Sequence, residues 1–146
     1  QIYIYDPYVE IEEKYNIVNN LDEVKSIIDV ISIHAHVTEE TNHFFDKNFF
    51  KGCKETLSII NTSRGELINE KDLIDFLEQN PKSSIASDVV DGEIFGFEKS
   101  SLFKCSWTSE QVLLTPHIAG MTSDAQEIAY NHAAFLLSEC ANQFHE

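Results

Sequence analysis

Three apolar runs in this chain are each followed by a residue that can take part in catalysis, namely Arg64, Glu93 or His117. If the runs are parallel strands of one sheet, their carboxyl ends meet at the same edge. Open α/β sheets bind their ligands at that edge. The sequence therefore predicts that a guanidinium, a carboxylate and an imidazole converge on one site.

The three side chains have complementary chemistry. The planar guanidinium of Arg64 suits a substrate carboxylate and stays charged at any working pH. The imidazole of His117 exchanges a proton near neutrality, and a carboxylate such as Glu93 would orient the ring and favour its charged form. Such a set would bind a 2-oxo acid and protonate its carbonyl oxygen as a hydride reaches the carbon. Each residue also has a structural interpretation, as an exposed turn arginine, a solvated loop acid and a turn histidine.

Four separated segments resemble signature stretches of the D-isomer-specific 2-hydroxyacid dehydrogenases, in that family's order and spacing. They are IYIYDP at 2–7, NTSRGELI at 61–68, DVVDGE at 88–93 and LTPHIAG at 114–120. The resemblance covers nearly the whole chain and implies an α/β fold with a Rossmann-like doubly wound parallel sheet. It also implies an NAD-dependent oxidoreductase that interconverts 2-oxo acids and D-2-hydroxy acids by hydride transfer, and that forms a homodimer.

The resemblance assigns roles to single residues. The implied catalytic residues are Arg64, Glu93 and His117. The implied cofactor-binding residues are Asp6, His34, Thr62, Asp88 and Gly120. Asp88 is expected to contact the nicotinamide carboxamide and Asp6 the adenosine ribose. A carboxylate at Asp6 accepts both ribose hydroxyls and repels a 2′-phosphate, which favours NAD over NADP. The alternative is an acid that shapes the turn before Pro7.

Two histidines near the end of one predicted strand, His34 and His36, lie on one face and suggest a metal pair. The sequence offers no third ligand nearby, so no metal site is predicted. We expect these histidines near the nicotinamide end of the cofactor or at a domain cleft.

The chain departs from the family where a glycine-rich turn should follow the first strand. Its five glycines form no GxGxxG motif, and residue 1 stands at what resembles the start of the second strand. We therefore expect residues 1–146 to be a partial dinucleotide-binding domain, incomplete at its N-terminal side, without a substrate domain and inactive alone. The absent strand would lie between the strands at 2–5 and 30–34. This predicts a longer parent chain, a rearranged or partner-completed sheet, or marginal folding.

Strands and helices alternate along the chain, which is typical of a parallel sheet with helices on its faces. Strands are predicted at 2–5, 17–18, 30–34, 57–61, 85–90 and 112–114. Helices are predicted at 20–29, around 43–50, from the Asn69 cap to about residue 80, and from Ser123 onward, with a loop at 91–110. The last helix carries an apolar stripe with a 3.6-residue period.

The composition excludes some partners. The formal charge is −15, from 25 acidic and 10 basic residues, which opposes binding to nucleic acid. No apolar stretch approaches the length of a membrane span. Three cysteines without a paired spacing indicate free thiols in a reducing compartment. We expect a cytoplasmic protein that binds a small 2-oxo or 2-hydroxy acid, without nucleic-acid or membrane partners.

Two function classes stay open. The first is the dehydrogenase described above. The second is a non-enzymatic NAD(H)-responsive binding protein or co-regulator of the same fold, because some proteins of that kind retain the same three residues. Turnover of a panel of 2-oxo acids with NADH distinguishes the two classes.

Overall fold

Six short parallel strands and four helices make up the part of the chain that this computed structural model describes, residues 1–8 and 15–143. The strands are β1 (Tyr3–Ile4), β2 (Asn16–Ile17), β3 (Val30–Ile33), β4 (Ser58–Asn61), β5 (Ser84–Ser87) and β6 (Val112–Leu114). The helices are α1 (Lys47–Phe50), α2 (Glu70–Gln79), α3 (Ser101–Ser106) and α4 (Ser123–Gln143). The predicted α/β class is confirmed.

The strands form two separate parallel sheets. One pairs β1 with β2, and the other has the order β3-β4-β5-β6. Within the described residues, no strand pairs with the second edge of β1 or of β3. The interruption falls where the sequence analysis places the absent strand, so the backbone donors and acceptors of these two edges lack a sheet partner.

One face of the four-stranded sheet carries the core. Ile31, Ile59, Ile85 and Val112 lie in register across the four strands. The last three are buried against apolar side chains of α1, α2 and α3, among them the fully buried Leu73. Burying this row removes a continuous apolar surface from water, and this burial is the main stabilising contribution to the sheet.

The opposite face of the same sheet is largely bare among the described residues. Val30, Ile60 and Leu113 point to it and are 54%, 39% and 65% exposed. The sequence predicts helices on both faces, and α4 begins at Ser123 as predicted. However, the apolar stripe of α4 is not covered, since Ile128 is 71% exposed.

Other predicted elements differ in extent, for local reasons. Strand β5 ends at Ser87 instead of residue 90, because the Asp88 side chain bonds to backbone amides downstream of β6. The expected helix at 20–29 is a 3-10 turn (Leu21–Glu23), in which the Asn20 side chain accepts from the Asp22 amide. The β-branched residues that follow this turn disfavour its continuation as an α-helix. The predicted loop at 91–110 contains α3.

All three cysteines are free thiols, as the sequence predicts. Cys53 packs against the core, and its burial raises the pKa of the thiol to about 11. It is therefore protonated and unreactive at neutral pH. Among the described helices, none is both long and apolar enough to cross a lipid bilayer.

Gly65 joins the end of β4 to the loop that follows β5. A Cβ atom on Gly65 would lie 1.9 Å from the Val90 carbonyl carbon and 2.3 Å from the Asp91 nitrogen. Only a glycine allows the two backbones to approach so closely. This contact holds the Arg64 turn against the segment that leads to Glu93.

A Gly65→Ala substitution should therefore destabilise the fold. We expect the free energy of unfolding to fall by about 1–3 kcal/mol, because the new methyl group meets rigid backbone. Urea denaturation followed by circular dichroism measures the change. Gly120→Ala is the matched control, since a Cβ there meets no atom within 4 Å. Equal unfolding midpoints for the two variants would contradict the close approach.

Candidate functional site

His117 and Glu93 are in direct contact at the carboxyl edge of the sheet. The Nδ1 atom of His117 lies 2.6 Å from Oε1 of Glu93. The Glu93 side chain is 18% exposed and the His117 side chain 43%. With Nδ1 held by the carboxylate, Nε2 is the ring nitrogen that is available to a ligand.

The backbone of His117 is held in an unusual conformation. Its φ angle is +53°, in the left-handed region that residues other than glycine seldom adopt. Asp88 fixes this turn, because its carboxylate accepts hydrogen bonds from the Thr115 hydroxyl and from the Ile118 and Ala119 amides. A single buried acid therefore binds the chain on both sides of His117. Strain of this kind persists only where neighbouring contacts enforce it.

The ionisation of Asp88 follows from the same contacts. Burial by itself would raise the pKa of this carboxyl. The Thr115 hydroxyl, the two amides and the nearby His117 ring outweigh that effect, so the pKa of Asp88 lies below its usual value. Asp88 is thus an anion at neutral pH, and it contributes to the stability of the turn in that form.

Arg64 is the one arginine of the chain, and it lies in the turn after β4. Buried Asn61 shapes this turn, because its side chain accepts from the Ser63 amide at 3.0 Å and donates to the Arg64 carbonyl at 2.9 Å. The Ser63 hydroxyl donates to the Ile33 carbonyl and ties the turn to β3. The exposed guanidinium donates to the Ser63 carbonyl at 2.7 Å.

The structure thus places all three catalytic candidates at one edge of one sheet, in turns that contact each other. Glu93 and His117 are hydrogen-bonded. Arg64 contacts neither of them through a described hydrogen bond, and most of its guanidinium donors are free for a ligand. This arrangement can bind a carboxylate at Arg64 while a proton is held at His117.

The cofactor candidates are more dispersed. Asp6 follows β1, on the two-stranded sheet, and its carboxylate accepts from the Tyr8 amide at 2.9 Å. His34 follows β3 and bonds to the Ser32 hydroxyl. Thr62 is exposed beside Arg64, and Gly120 faces open space. Within the described residues, no three histidine, cysteine or acidic side chains cluster as a metal site would require.

The residues present fit part of a dinucleotide. Asp6 offers an acceptor for the ribose end. Asp88 accepts two hydrogen bonds at Oδ1 and one at Oδ2, which leaves acceptor capacity at Oδ2 for an amide donor. The pyrophosphate lacks a cradle, because the chain contains no glycine-rich turn at a helix N-terminus.

A nearby open cleft is separate from the catalytic candidates. Its volume is about 460 Å3, and its lining includes His43, Lys71 and Phe95 but none of Arg64, Glu93 and His117.

Two residues that hold this site together were missed by the sequence analysis. Buried Glu70 binds the Asp91 amide, and His43 lies 2.9 Å from the Asp91 carboxylate. No pattern in the sequence singles out Glu70, because an acid in the first turn of a helix is ordinarily explained by the helix dipole. His43 stands in a segment that shows no strong periodicity.

Comparison with known proteins gives a consistent result. The family described as D-isomer specific 2-hydroxyacid dehydrogenase, NAD binding domain, matches residues 1–119. A 2-hydroxyacid dehydrogenase homolog of Haemophilus influenzae is 33% identical over 134 residues, covering 85% of this chain and 40% of that protein. D-3-phosphoglycerate dehydrogenase 1 of Saccharomyces cerevisiae is 32% identical over 133 residues, covering 86% of this chain and 28% of the yeast protein.

Solved structures agree with the sequence comparison. The crystal structure of D-lactate dehydrogenase with NAD+ from Lactobacillus jensenii superposes with a TM-score of 0.72 at 28% identity. The match covers 82% of this chain and 39% of that one. The present chain therefore spans between 28% and 40% of the length of these three relatives.

The lowered pKa of Asp88 predicts an acid-sensitive turn. Its stabilising contribution is complete above the unfolded-state pKa of about 4 and is lost as pH falls through the lower folded-state pKa. We expect Asp88→Asn to lower the unfolding free energy at pH 7 by about 1–3 kcal/mol and to weaken the acid dependence below pH ~4. Urea unfolding at pH 7 and pH 3 tests this, with exposed Asp75→Asn as the control. An unchanged acid dependence in Asp88→Asn would refute the assignment.

Proposed function

Because this chain belongs to the D-isomer specific 2-hydroxyacid dehydrogenase family, through its NAD-binding domain, we propose that it carries the catalytic half-site of an NAD-dependent oxidoreductase. The reaction is the interconversion of a 2-oxo acid and a D-2-hydroxy acid. Arg64, Glu93 and His117 are its catalytic residues.

One observation carries this proposal. The Glu93–His117 contact of 2.6 Å lies at the same sheet edge as Arg64, the one arginine of the chain. A paired acid and imidazole beside an exposed guanidinium fit a substrate that has a carboxylate next to a carbonyl group. No observation on this chain favours the alternative of a non-enzymatic co-regulator.

In this proposal each of the three residues has its own role. Arg64 binds the substrate carboxylate through paired N–H donors and so sets the position of the neighbouring carbonyl. NADH, when bound, supplies the hydride that forms the new C–H bond at C2. The His117 ring, held at Nδ1 by Glu93, donates its Nε2 proton to the carbonyl oxygen. In the reverse direction, neutral His117 takes the hydroxyl proton.

The remaining cofactor candidates have supporting roles in this proposal. Asp6 accepts from the ribose hydroxyls, Asp88 accepts from the nicotinamide carboxamide, and His34, Thr62 and Gly120 line the cofactor path. This proposal assigns the pyrophosphate cradle and the substrate domain to a longer polypeptide, because the chain covers only 40% of the Haemophilus influenzae relative. In residues 1–8 and 15–143, β1 and β3 each have one edge without a strand partner, which supports this part of the proposal because one inserted strand would join the two sheets.

The assembly and location are also part of the proposal. The bare sheet face and the uncovered stripe of α4 support a homodimer, since both are apolar surfaces that an obligate partner would cover. Three free thiols support a reducing, cytoplasmic location.

Replacing His117 with Ala tests the proton-transfer role. In a polypeptide that includes the glycine-rich loop and a substrate domain, we expect kcat for 2-oxo acid reduction to fall by about 100- to 10,000-fold. NADH binding, measured by fluorescence titration, should change little. Exposed His132→Ala on α4 is the control. Equal losses of turnover and NADH affinity would count against the role, and the 146-residue chain alone should show no turnover.

Arg64→Lys tests the carboxylate-binding role separately. Lysine keeps the charge but loses the planar fork, so we expect KM for the 2-oxo acid to rise by about 10-fold or more. The NADH dissociation constant should stay at its wild-type value. A normal KM, measured across several 2-oxo acids, would show that Arg64 does not hold the substrate.

A further inference from the structure

Both ends of the segment that carries Glu93 are hydrogen-bonded to one buried carboxylate. This segment, residues 91–101, leaves the sheet after β5 and returns at the start of α3. Oε1 of Glu70 accepts from the Asp91 amide at 3.0 Å and from the Ser100 hydroxyl at 2.7 Å. Oε2 accepts from the Ser101 amide at 2.7 Å and from the Leu102 amide at 3.0 Å.

Three of these hydrogen bonds join both ends of the 91–101 segment to the first turn of α2, and the fourth adds the adjacent Leu102. Glu70 is only 8% exposed, so these donors replace the water that an ionised carboxylate would otherwise require. Fixing both ends of a loop removes much of its conformational freedom. Glu93 is the second residue after Asp91, close to one of the fixed ends.

A second contact restrains Asp91 from the other side. The His43 ring bonds to the Asp91 carboxylate, and the His43 backbone amide donates to the Glu66 carbonyl at 2.7 Å. Asp91 is thus held by its amide through Glu70 and by its side chain through His43. Besides its contact with His117, the Glu93 side chain makes one described hydrogen bond, from the Val90 amide to Oε2 at a long 3.4 Å, and its carbonyl accepts from the Gly96 amide at 3.0 Å.

From these contacts we infer that Glu70 is a positioning residue for catalysis: it fixes the 91–101 segment so that Glu93 meets His117. The inference rests on the proposed dehydrogenase function. Glu70 touches neither substrate nor cofactor in this assignment. It acts through the Asp91 backbone on the carboxylate that orients the imidazole.

Glu70→Gln is the most selective test of this role. The new amide nitrogen cannot accept a hydrogen bond. It should therefore take the place of whichever carboxylate oxygen, Oε1 or Oε2, costs fewer hydrogen bonds to replace. On the Oε2 side it would meet two backbone N–H donors. On the Oε1 side it would meet one backbone donor, the Asp91 amide, and the Ser100 hydroxyl, which can also accept. The variant should therefore release the Asp91 amide and keep the two bonds to α3.

A matched control lies at the opposite end of α2. The Gln111 Nε2 lies within hydrogen-bond distance of the Leu77, Asn80 and Ser83 carbonyls, which share its two N–H groups, and so joins the C-terminal end of α2 to β6. Gln111→Met keeps the length of the side chain but removes all of these hydrogen bonds. It should destabilise the fold at least as much as Glu70→Gln does, without loosening the 91–101 segment.

The kinetic experiment compares kcat and KM in the complete dehydrogenase polypeptide. We expect Glu70→Gln to lower kcat by about 10- to 100-fold, because small displacements of catalytic groups are costly. KM for the 2-oxo acid should stay near the wild-type value, since Arg64 lies in another turn. Gln111→Met should keep the wild-type kcat at temperatures where it is folded. A wild-type kcat in Glu70→Gln, or an equal loss in Gln111→Met, would overturn the inference.

Two measurements that need no turnover separate this inference from the proposed function. In Glu70→Gln, amide hydrogen exchange should become faster at Asp91 and stay slow at Leu102, and the NMR signal of the His117 ring should shift. If the wild-type enzyme reduces no 2-oxo acid, the proposed function fails, while these two signals still decide whether Glu70 positions Glu93. Unchanged exchange at Asp91 would contradict the positioning role.

If Glu70→Gln does not fold, His43→Asn is the second variant that tests whether restraint of Asp91 positions Glu93. The His43 backbone has a φ of +52°, which asparagine adopts more readily than most residues. The variant therefore keeps the backbone and loses only the ring that holds the Asp91 side chain. We expect a smaller loss of kcat in the same direction, and a wild-type kcat would overturn the inference.

Discussion

The parallel pairing of β4, β5 and β6 is the constraint on which the candidate site depends. Consecutive register across these strands brings their carboxyl ends to one edge. Each strand then delivers a different functional group within the short turn that follows it. Residues far apart along the chain are neighbours at this edge, because the hydrogen bonds between the strands fix the order in which the turns follow one another. The contact of Gly65 with the backbone of Val90 and Asp91 strengthens this arrangement, because it packs the turn after β4 directly against the turn after β5.

Three carboxylates around this edge have different environments and, by our assignment, different tasks. Asp88 and Glu70 are buried and are surrounded by backbone amides and hydroxyl groups. Burial without such donors would be costly for an ionised acid, so these two residues fix backbone turns. Glu93 is less buried and lies against the His117 imidazole, and by our assignment it orients the ring that exchanges a proton with the substrate.

Sequence patterns predicted the parts of this structure that local rules govern. Apolar runs located the strands, and the Asn69 cap located the start of α2. Long-range contacts govern the rest. Strand β5 ends early because Asp88 binds the turn after β6, which no local pattern around Ser87 reveals. The anchoring by Glu70 depends on four donors, of which the nearest lies 21 residues away in sequence. The prediction that helices cover the second sheet face depended on α4. The periodic stripe of α4 indicates which side of the helix is apolar, but it does not indicate which surface packs against that side.

The interruption between β1 and β3 affects more than the architecture of the sheet. Asp6 extends from one sheet and His117 from the other, and in the described part of the chain no hydrogen-bonded strand is shared between them. A ligand that touches both residues would link its own binding to the association of the two sheets. Binding to the associated state shifts the association equilibrium toward that state by mass action. The affinity for such a ligand and the midpoint temperature of thermal unfolding would then be thermodynamically linked, so a substitution that changes one would also change the other.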